Sequence, residues 1–232
     1  MGDDRNGLSN EFPPVKVLVA SIQKLGVGES SRVVLYDEAA GLDAARAFVA
    51  FDYAGYGGKA AILDGQWKRW KAENRTISAG KPAVTASFWS PKPRTEILAR
   101  LDNVRDLSEK AEKPGASVSL VDARPDAQYK GEQKQEGIAR PGHIPGAQCI
   151  FWQKNIVSQE DPVMRPVDEL HELYASAGLD PKNEVVTYCT TGGQASFEYF
   201  ALRYLGYSVR FYDGSYEEWN AAPGTRVETT AR

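Results

Sequence analysis

The sequence predicts an α/β fold in which a mostly parallel sheet is flanked by helices. First, short β-branched or apolar runs alternate with segments of helical periodicity along the chain. Second, one such run, residues 185–188, ends directly at Cys189 and a loop of small residues, and a helical segment follows. Third, the same order of elements occurs twice. We therefore expect one complete α/β unit that is preceded by a partial copy of itself.

The composition is that of an ordinary globular chain. Of its 232 residues, 42% are hydrophobic and 25% are charged, and the net charge is −3, so there is material for one large or two small domains and no sign of a nucleic-acid partner. No apolar run approaches the ~20 residues of a membrane span, and the first residues lack the apolar core of a signal peptide. We therefore predict a cytoplasmic protein with no membrane partner.

The N-terminal part is expected to hold two strands and the helices that cover them. Residues 1–10 are polar and are expected to be frayed. Apolar periodicity, bounded by Pro and Gly, then predicts a helix, a strand, a second helix and a second strand at residues 14–26, 32–36, 44–51 and 60–63.

The C-terminal half repeats this series, with a helix at 166–178, a strand at 185–188, a helix after Cys189 and a strand at 209–212. Tyr36 and Tyr188 are 152 residues apart, as are the Pro and Gly residues that bound the first helix of each series. Trp70 and Trp219 are 149 residues apart, which implies a small difference in length. Cys189 therefore corresponds to Asp37, and the first series has a carboxylate where the second has a thiol.

We divide the chain into an N-terminal segment (residues 1–80), a Pro-rich linker (81–113) and a C-terminal unit (114–232). By the repeat, the counterpart of Leu120 would precede Met1, so the N-terminal segment is a partial copy. We expect it not to form an independent domain. It should either pack loosely on the C-terminal unit or associate with another chain through its open sheet edge. The active site should then be more exposed, with Trp67 as one wall.

Cys189 is the candidate nucleophile. A lone cysteine is more often a small buried hydrophobic residue than a catalyst. Its position at the end of a parallel strand and before a helix favours catalysis, because loop N–H groups and the helix dipole can converge on the sulfur and favour the thiolate. The loop would be formed by Thr190, Thr191, Gly192, Gly193, Gln194 and Ala195, in which the two glycines allow unusual backbone angles.

Three motifs of this chain together resemble the rhodanese sulfurtransferases. They are the run Val185-Val-Thr-Tyr-Cys-Thr-Thr-Gly-Gly-Gln-Ala195, the turn Pro141-Gly-His-Ile-Pro-Gly-Ala147 and the strand Leu120-Val-Asp-Ala-Arg124. They follow the family's order, and the resemblance covers nearly the whole chain. The resemblance implies a rhodanese-like tandem of an inactive N-terminal domain and an active C-terminal one, in which Cys189 carries sulfur as a persulfide. It implies a small-molecule sulfur donor and a thiol or cyanide acceptor.

The resemblance also assigns supporting roles and shows departures. Asp122 and Arg124 would support the loop, and His143 would be a structural imidazole. Thiosulfate-preferring members carry basic residues where this chain has Thr190 and Thr191, so the loop is closer in character to that of 3-mercaptopyruvate sulfurtransferases. Gln128 replaces a family arginine in the donor site, and a second one corresponds to Glu136. Arg140, close by in sequence, is expected to substitute in donor binding.

Other classes of function remain to be compared. Cys-dependent phosphatases need an arginine six residues after the cysteine, and this chain has Ala195 there. A non-turnover sulfur-carrier or binding module is the further alternative. The two cysteines, Cys149 and Cys189, could form a disulfide, although a chain of this size needs none, and Cys149 is expected to be a core residue. The two histidines have no zinc-site spacing, so we predict no metal and no cofactor.

Overall fold

The computed structural model describes residues 3–5, 7–80 and 82–229. The strands are β1 (Asp3–Arg5), β2 (Leu8–Glu11), β3 (Val33–Leu35), β4 (Ala60–Ile62), β5 (Leu98–Ala99), β6 (Val118–Asp122), β7 (Ala147–Cys149), β8 (Glu184–Tyr188) and β9 (Ser208–Tyr212). The α-helices are α1 (Val15–Lys24), α2 (Leu42–Tyr53), α3 (Gln66–Ala72), α4 (Leu101–Ala111), α5 (Asp126–Tyr129), α6 (Val167–Ser176), α7 (Gly193–Tyr204) and α8 (Ser215–Ala221). None of the helices in these ranges is both long enough and apolar enough to cross a bilayer.

A five-stranded parallel sheet forms the centre of the C-terminal unit, in the order β5-β9-β8-β6-β7. β8 lies in the middle, between β6 and β9. Because helices cover both faces of the sheet, its central strands are buried on both sides: all of β6 is buried, and so is β8 after Glu184. The predicted α/β class and the mostly parallel sheet are confirmed.

Alternation along β8 determines the direction of its side chains. Val185 packs in the larger core cluster, together with α2 and α7, whereas Val186 packs in the smaller one, with α4 and α8. Cys189 belongs to the larger cluster. The thiol therefore points towards α7 and α2, because residues two apart in a strand share a face.

The N-terminal segment has a two-stranded parallel sheet, β3-β4, with the paired residues Val33–Ala60, Val34–Ala61 and Leu35–Ile62. Its elements α1, β3, α2, β4 and α3 follow the same order as α6, β8, α7, β9 and α8. The backbone agrees in detail: Gln66 and Ser215, the first residues of α3 and α8, both have positive φ angles, of 57° and 51°.

The expectation of loose packing is wrong for α2. Ala44, Ala45, Phe48 and Phe51 of this helix are buried, and all but Ala44 belong to the larger core cluster, which also contains the buried face of α7. Phe48 meets Phe200 edge to face, with ring centroids 4.9 Å apart. The helix predicted after Cys189 is therefore buried on more than one face, since it lies between the sheet and α2. Gly206 ends it with a φ of 86°, as expected.

Two sequence boundaries differ in the structure. Strand β5 pairs with β9, and α4 packs on β6. The last part of the expected linker is therefore part of the C-terminal unit, which begins earlier than residue 114. At the other end, residues 8–10 are not frayed but form most of β2, which is held by long-range hydrogen bonds described below. The polar composition of residues 1–10 predicted fraying, because a local pattern carries no information about hydrogen-bond partners in the last third of the chain.

The open edge of β3 carries exposed apolar side chains, with Val34 58% and Tyr36 55% exposed. Within the described ranges β3 pairs with β4 alone. Association through this edge stays a prediction.

Candidate active site

Cys189 lies at the carboxyl end of β8 and directly before α7, as expected. Its side chain is buried, with 2% exposure. The backbone N–H of Gly192 donates to Cys189 Sγ at 3.1 Å. A backbone donor directed at the sulfur stabilises negative charge on it. Both cysteines are free thiols, so the thiol at this strand end is available for chemistry.

Gly192 forms the corner of the Cys189 loop (residues 189–195). Its φ of 94° lies in the left-handed region, which favours glycine because a Cβ would meet the backbone. Gly193, by contrast, has no positive φ and is the first residue of α7. The expectation that both glycines adopt unusual angles holds for Gly192 only, because a helix starts immediately after one left-handed residue.

Long-range hydrogen bonds hold the loop. The N–H of Tyr216 donates to the carbonyl oxygen of Cys189 at 2.9 Å, and that of Glu217 to Thr190 at 3.1 Å. The side-chain amide of Asn10 donates to the carbonyl of Thr191 at 3.1 Å. Strand β2 is itself fixed to α8, because the N–H of Ser9 donates to the Glu217 carboxylate at 2.6 Å. The Cys189 loop is thus held by β2 on one side and by α8 on the other.

The remaining loop side chains have different environments. Thr190 Oγ1 donates to Gln135 Oε1 at 2.7 Å, while Thr191 and Gln194 are half-buried. Ala195 is buried, and its carbonyl accepts the hydroxyl of Thr187 at 3.2 Å. Gln135 is a loop neighbour that the sequence did not indicate.

Asp122 and Arg124 form a buried pair below the loop. The guanidinium of Arg124 donates to the Asp122 carboxylate at 2.6–3.1 Å and to the carbonyl of Gly142 at 2.7 Å. Burial opposes the charge of Arg124, but Asp122 outweighs it, so the pKa of the guanidinium is raised. Arg124 also lies 4.1 Å from the centroid of the Tyr216 ring. The pair therefore supports the loop indirectly, through Tyr216.

Arg140 and Gln128 were expected to contact the donor. The guanidinium of Arg140 instead donates to the carbonyl oxygens of Trp219, Asn220 and Thr225 at 2.6–3.2 Å. Arg140 is therefore committed to holding the end of α8 and the segment after it, and does not substitute for the donor-binding arginines of the family. Gln128 lies in α5, where its Oε1 is buried and has no hydrogen-bond partner.

The predicted wall is also different. Trp67 stacks on Tyr36, with ring centroids 5.8 Å apart, and both line an open cavity of about 410 Å³ beside β3. Cys189 does not line that cavity. The expected exposure of the site is contradicted by the burial of Cys189, because β2 and α2 cover it.

Arg46 of α2 is the residue that sequence reasoning missed. It is 5% exposed, and its Nη2 donates to Asp213 Oδ1 at 3.0 Å and to the carbonyl of Asn10. A Cβ added to Gly192 would lie only 2.8 Å from Arg46 Nη1, so the guanidinium packs against the corner of the loop. Its signal in the sequence is an arginine within the apolar run of α2.

Cys149 and His143 have structural surroundings. Cys149 is half-buried rather than a core residue, and burial together with Asp122 and Asp126 raises the pKa of its thiol. His143 Nδ1 lies 2.9 Å from the carbonyl of Tyr129, and the two rings stack. Burial lowers the pKa of His143, so the imidazole is neutral near pH 7.

Several known proteins resemble this chain over most of its length. Residues 103–222 match the family model described as Rhodanese-like domain. The chain is 32% identical to a sulfur carrier protein, TtuD, of Thermus thermophilus, covering 89% of this chain and 74% of that protein. It is 31% identical to a probable 3-mercaptopyruvate sulfurtransferase of Pseudomonas aeruginosa, with coverages of 97% and 78%. It is 30% identical to a putative thiosulfate sulfurtransferase of Mycolicibacterium smegmatis, with coverages of 97% and 81%.

Solved structures share the fold. The structure of YnjE superposes with a TM-score of 0.82 at 26% identity, covering 96% of this chain and 54% of that one. An anaerobic ergothioneine biosynthesis enzyme from Chlorobium limicola, in complex with trimethyl histidine, gives a TM-score of 0.80 at 26% identity, with coverages of 96% and 56%. This chain thus spans little more than half of either structure. Given the matched family model and these relatives, the chain belongs to the rhodanese family.

Proposed function

We propose that the protein is a sulfurtransferase that moves a sulfane sulfur from thiosulfate, or a similar donor, through a persulfide on Cys189 to cyanide or a thiol. The observation that supports it best is the buried Cys189 sulfur, which accepts the N–H of Gly192 at 3.1 Å in front of helix α7. Ala195, six residues after the cysteine, provides no guanidinium for a phosphoryl group, which favours sulfur over phosphoryl transfer.

In the first half-reaction the Cys189 thiolate attacks the outer sulfur of thiosulfate. A new S–S bond forms, the S–S bond of thiosulfate breaks, and sulfite leaves with its electron pair. The product is an anionic persulfide, which needs donors already in place around it. The Gly192 N–H and the amino end of α7 provide that potential without reorganisation.

In the second half-reaction an acceptor attacks the outer sulfur of the persulfide. With cyanide, a C–S bond forms and the S–S bond breaks, so that the electron pair returns to Cys189 and thiocyanate leaves. This is a ping-pong sequence with a covalent intermediate. A reducing compartment such as the cytoplasm, which we propose as the location, keeps the thiol available between turnovers.

The experiment is mass spectrometry of the intact protein after thiosulfate treatment. Wild type is expected to gain the mass of one sulfur atom, located on Cys189, and to lose it on addition of cyanide. The Cys189→Ser variant should gain nothing and keep its fold, whereas Cys149→Ser should behave as wild type. Thiosulfate:cyanide activity retained by Cys189→Ser would contradict the proposal.

The second candidate is transfer from 3-mercaptopyruvate, and it is favoured by the neutral hydroxyl side chains of Thr190 and Thr191. In that reaction the thiolate takes the sulfur, the C–S bond breaks, and the pyruvate enolate leaves and gains a proton.

A third candidate is a sulfur carrier that turns over only with a protein acceptor. Steady-state rates with both donors, and with small acceptors present or absent, distinguish the three. Rapid turnover with cyanide excludes a carrier alone.

A further inference from the structure

The guanidinium of Arg46 is buried with part of its donor set unused. Nη2 is paired with Asp213 and with the carbonyl of Asn10, but Nε and Nη1 are buried and have no hydrogen-bond partner among the residues that the structure describes. A buried donor without a partner costs free energy unless something compensates. The side chain is also held rigidly, since its Cζ lies 3.6 Å from the centroid of the Phe12 ring.

The unused donor Nη1 lies on the active-site side of this guanidinium. It is the atom that a Cβ on Gly192 would contact at 2.8 Å, and the N–H of the same glycine donates to Cys189 Sγ. Burial lowers the pKa of Arg46, while negative charge on Asp213, on Cys189 and on Glu11 of β2 opposes that change. The positive charge of an arginine persists in proteins, so a buried positive charge packs against Gly192, the residue whose N–H donates to the sulfur.

The corresponding position beside the Asp37 loop (residues 37–41) has no charge. Gly41 directly precedes α2 with a φ of 94°, as Gly192 directly precedes α7, and a Cβ on Gly41 would lie 3.1 Å from Phe197 Cε2 of α7. Each helix therefore places one side chain against the loop that precedes the other helix. The thiol loop receives Arg46, and the carboxylate loop receives Phe197.

We propose that Arg46, contributed by the N-terminal segment, is a positioning residue for sulfur transfer, whose fixed charge holds the anionic sulfur of Cys189 at the Gly192 corner. This inference rests on the proposed sulfur chemistry of Cys189. A nearby opposite charge favours the anionic form of a group, and Arg46 packs against the residue whose N–H donates to the sulfur. The C-terminal unit then contains the nucleophile, but the N-terminal segment contains part of what makes it reactive.

The test compares charge with packing at this position. Arg46→Met removes the charge and keeps the length, Arg46→Lys keeps the charge, and Asp213→Asn removes the counter-charge while leaving an oxygen for the N–H of Phe12. Arg94→Met is the matched control, since Arg94 also pairs with a buried carboxylate, that of Asp52. The readout is the rate of Cys189 alkylation against pH, with neutral iodoacetamide and with anionic iodoacetate.

Arg46→Met is expected to slow alkylation by iodoacetamide at pH 7 about tenfold and to shift its pH profile to the alkaline side. It should also reduce the preference for iodoacetate, while Arg46→Lys retains most of the rate. Asp213→Asn should react at least as fast as wild type, because the charge remains. If Arg46→Met and Asp213→Asn are equally slow, the Arg46–Asp213 pair is only structural and the inference is wrong.

Two further measurements keep the outcome decisive. Should Arg46→Met fail to fold because it leaves the Asp213 carboxylate unpaired, the double variant Arg46→Met/Asp213→Asn removes both charges and is expected to show the same slow alkylation. An unchanged rate in the folded double variant overturns the inference. Persulfide formation on wild type is scored separately: its absence would contradict the proposed function, whereas the alkylation rates test Arg46 in either case.

Discussion

The Asp37 loop and the Cys189 loop share a backbone corner but differ in what they leave unsatisfied. The Asp37 carboxylate accepts four backbone N–H groups of its own loop and helix, those of Ala39, Gly41, Asp43 and Ala44, at 2.8–3.2 Å. The Cys189 sulfur accepts one, from Gly192. The carboxylate therefore uses the backbone N–H donors of its loop itself, whereas the thiol leaves backbone N–H donors that a second sulfur atom can use.

The two loops also share their outer support. The N–H of Asp37 donates to the side chain of Gln66 at 3.0 Å, and that of Cys189 to Ser215 Oγ at 3.5 Å. Asp64 and Asp213 are equivalent in the repeat, and each accepts a backbone N–H from the other half of the chain. Asp64 accepts that of Met164, which precedes α6, and Asp213 accepts that of Phe12, which precedes α1. The difference between the two sites thus lies in very few side chains: the residue at the strand end and the one that the facing helix provides.

Exchanging the strand-end residues has the largest expected effect. Cys189→Asp should abolish sulfur transfer completely and keep the fold, because the Asp37 loop shows that this corner accommodates a carboxylate. Adding Asp37→Cys should restore nothing, since a thiol at position 37 would face Phe197 rather than a guanidinium. Thiosulfate:cyanide activity and intact mass are the measurements. A persulfide forming at position 37 at the wild-type rate would show that the facing residue is irrelevant.

Glu198 offers a second contrast, because its counterpart in α2 is Ala47. Glu198 is fully buried, with its carboxyl oxygens 2.7 Å from the Tyr174 hydroxyl and 2.8 Å from Asn155 Nδ2. The same hydroxyl lies 2.6 Å from Asn155 Oδ1. One hydroxyl proton cannot serve both oxygens, so the ring is complete only when Glu198 is protonated. Burial accordingly raises the pKa of Glu198 to about 7.

A raised carboxyl pKa means that the fold favours the protonated form. The stability associated with it is fully present below the ordinary value of 4.5 and is lost as the pH rises through about 7. We expect wild type to lose on the order of 3 kcal/mol of unfolding free energy between these limits. Glu198→Gln, whose amide can donate to Tyr174, should remove this dependence and be the more stable protein at pH 8. Urea unfolding at several pH values measures it, and parallel curves for both proteins would contradict it.

The two glycine corners separate stability from activity. Gly192→Ala would place a Cβ 2.8 Å from Arg46 Nη1, and Gly41→Ala one 3.0 Å from Gln66 Nε2. Each should lose about 1–2 kcal/mol of stability, because both positions need the left-handed conformation. Only Gly192→Ala should also slow sulfur transfer, by about tenfold or more, since it displaces the N–H that donates to the sulfur. Equal activities of the two variants, with equal melting temperatures, would contradict this assignment.

The smallest effect on sulfur transfer is expected from substitutions of the threonine side chains in the Cys189 loop. Thr190→Arg with Thr191→Lys should raise the rate with thiosulfate relative to 3-mercaptopyruvate, by about threefold, because exposed charges are screened by water. The matched control is Thr190→Gln with Thr191→Gln, which adds length without charge. The ratio of kcat/KM for the two donors measures it. An unchanged ratio would move donor selection to other residues, such as Gln135.

The sequence was sufficient for the parts of the site that are continuous in the chain. The β-branched run before Cys189 predicted a thiol at the end of a strand and before a helix, the two glycines predicted an unusual backbone angle that Gly192 adopts, and the repeat predicted Asp37 at the equivalent place. It was insufficient where the site depends on distant contacts. Arg46 and Asn10 reach the loop from the N-terminal segment, and Arg140, which was expected to bind the donor, donates to carbonyls at the end of α8 and after it. Residue type indicates a charge but not its partner, and partners are set by packing.

The seating of β2 on the Cys189 loop has a consequence for how the protein is made. Asn10 and Arg46 leave the ribosome long before Cys189, Asp213 and Glu217, so the pocket closes only after Glu217 has been synthesised. Contacts so distant in sequence form late in folding, because the entropy of closing a long loop must be overcome first. The thiol is therefore enclosed in the same late event that gives it Arg46 as a neighbour. A measurement of sulfur transfer would then show whether these distant segments have packed together, which a measurement of helix content does not show.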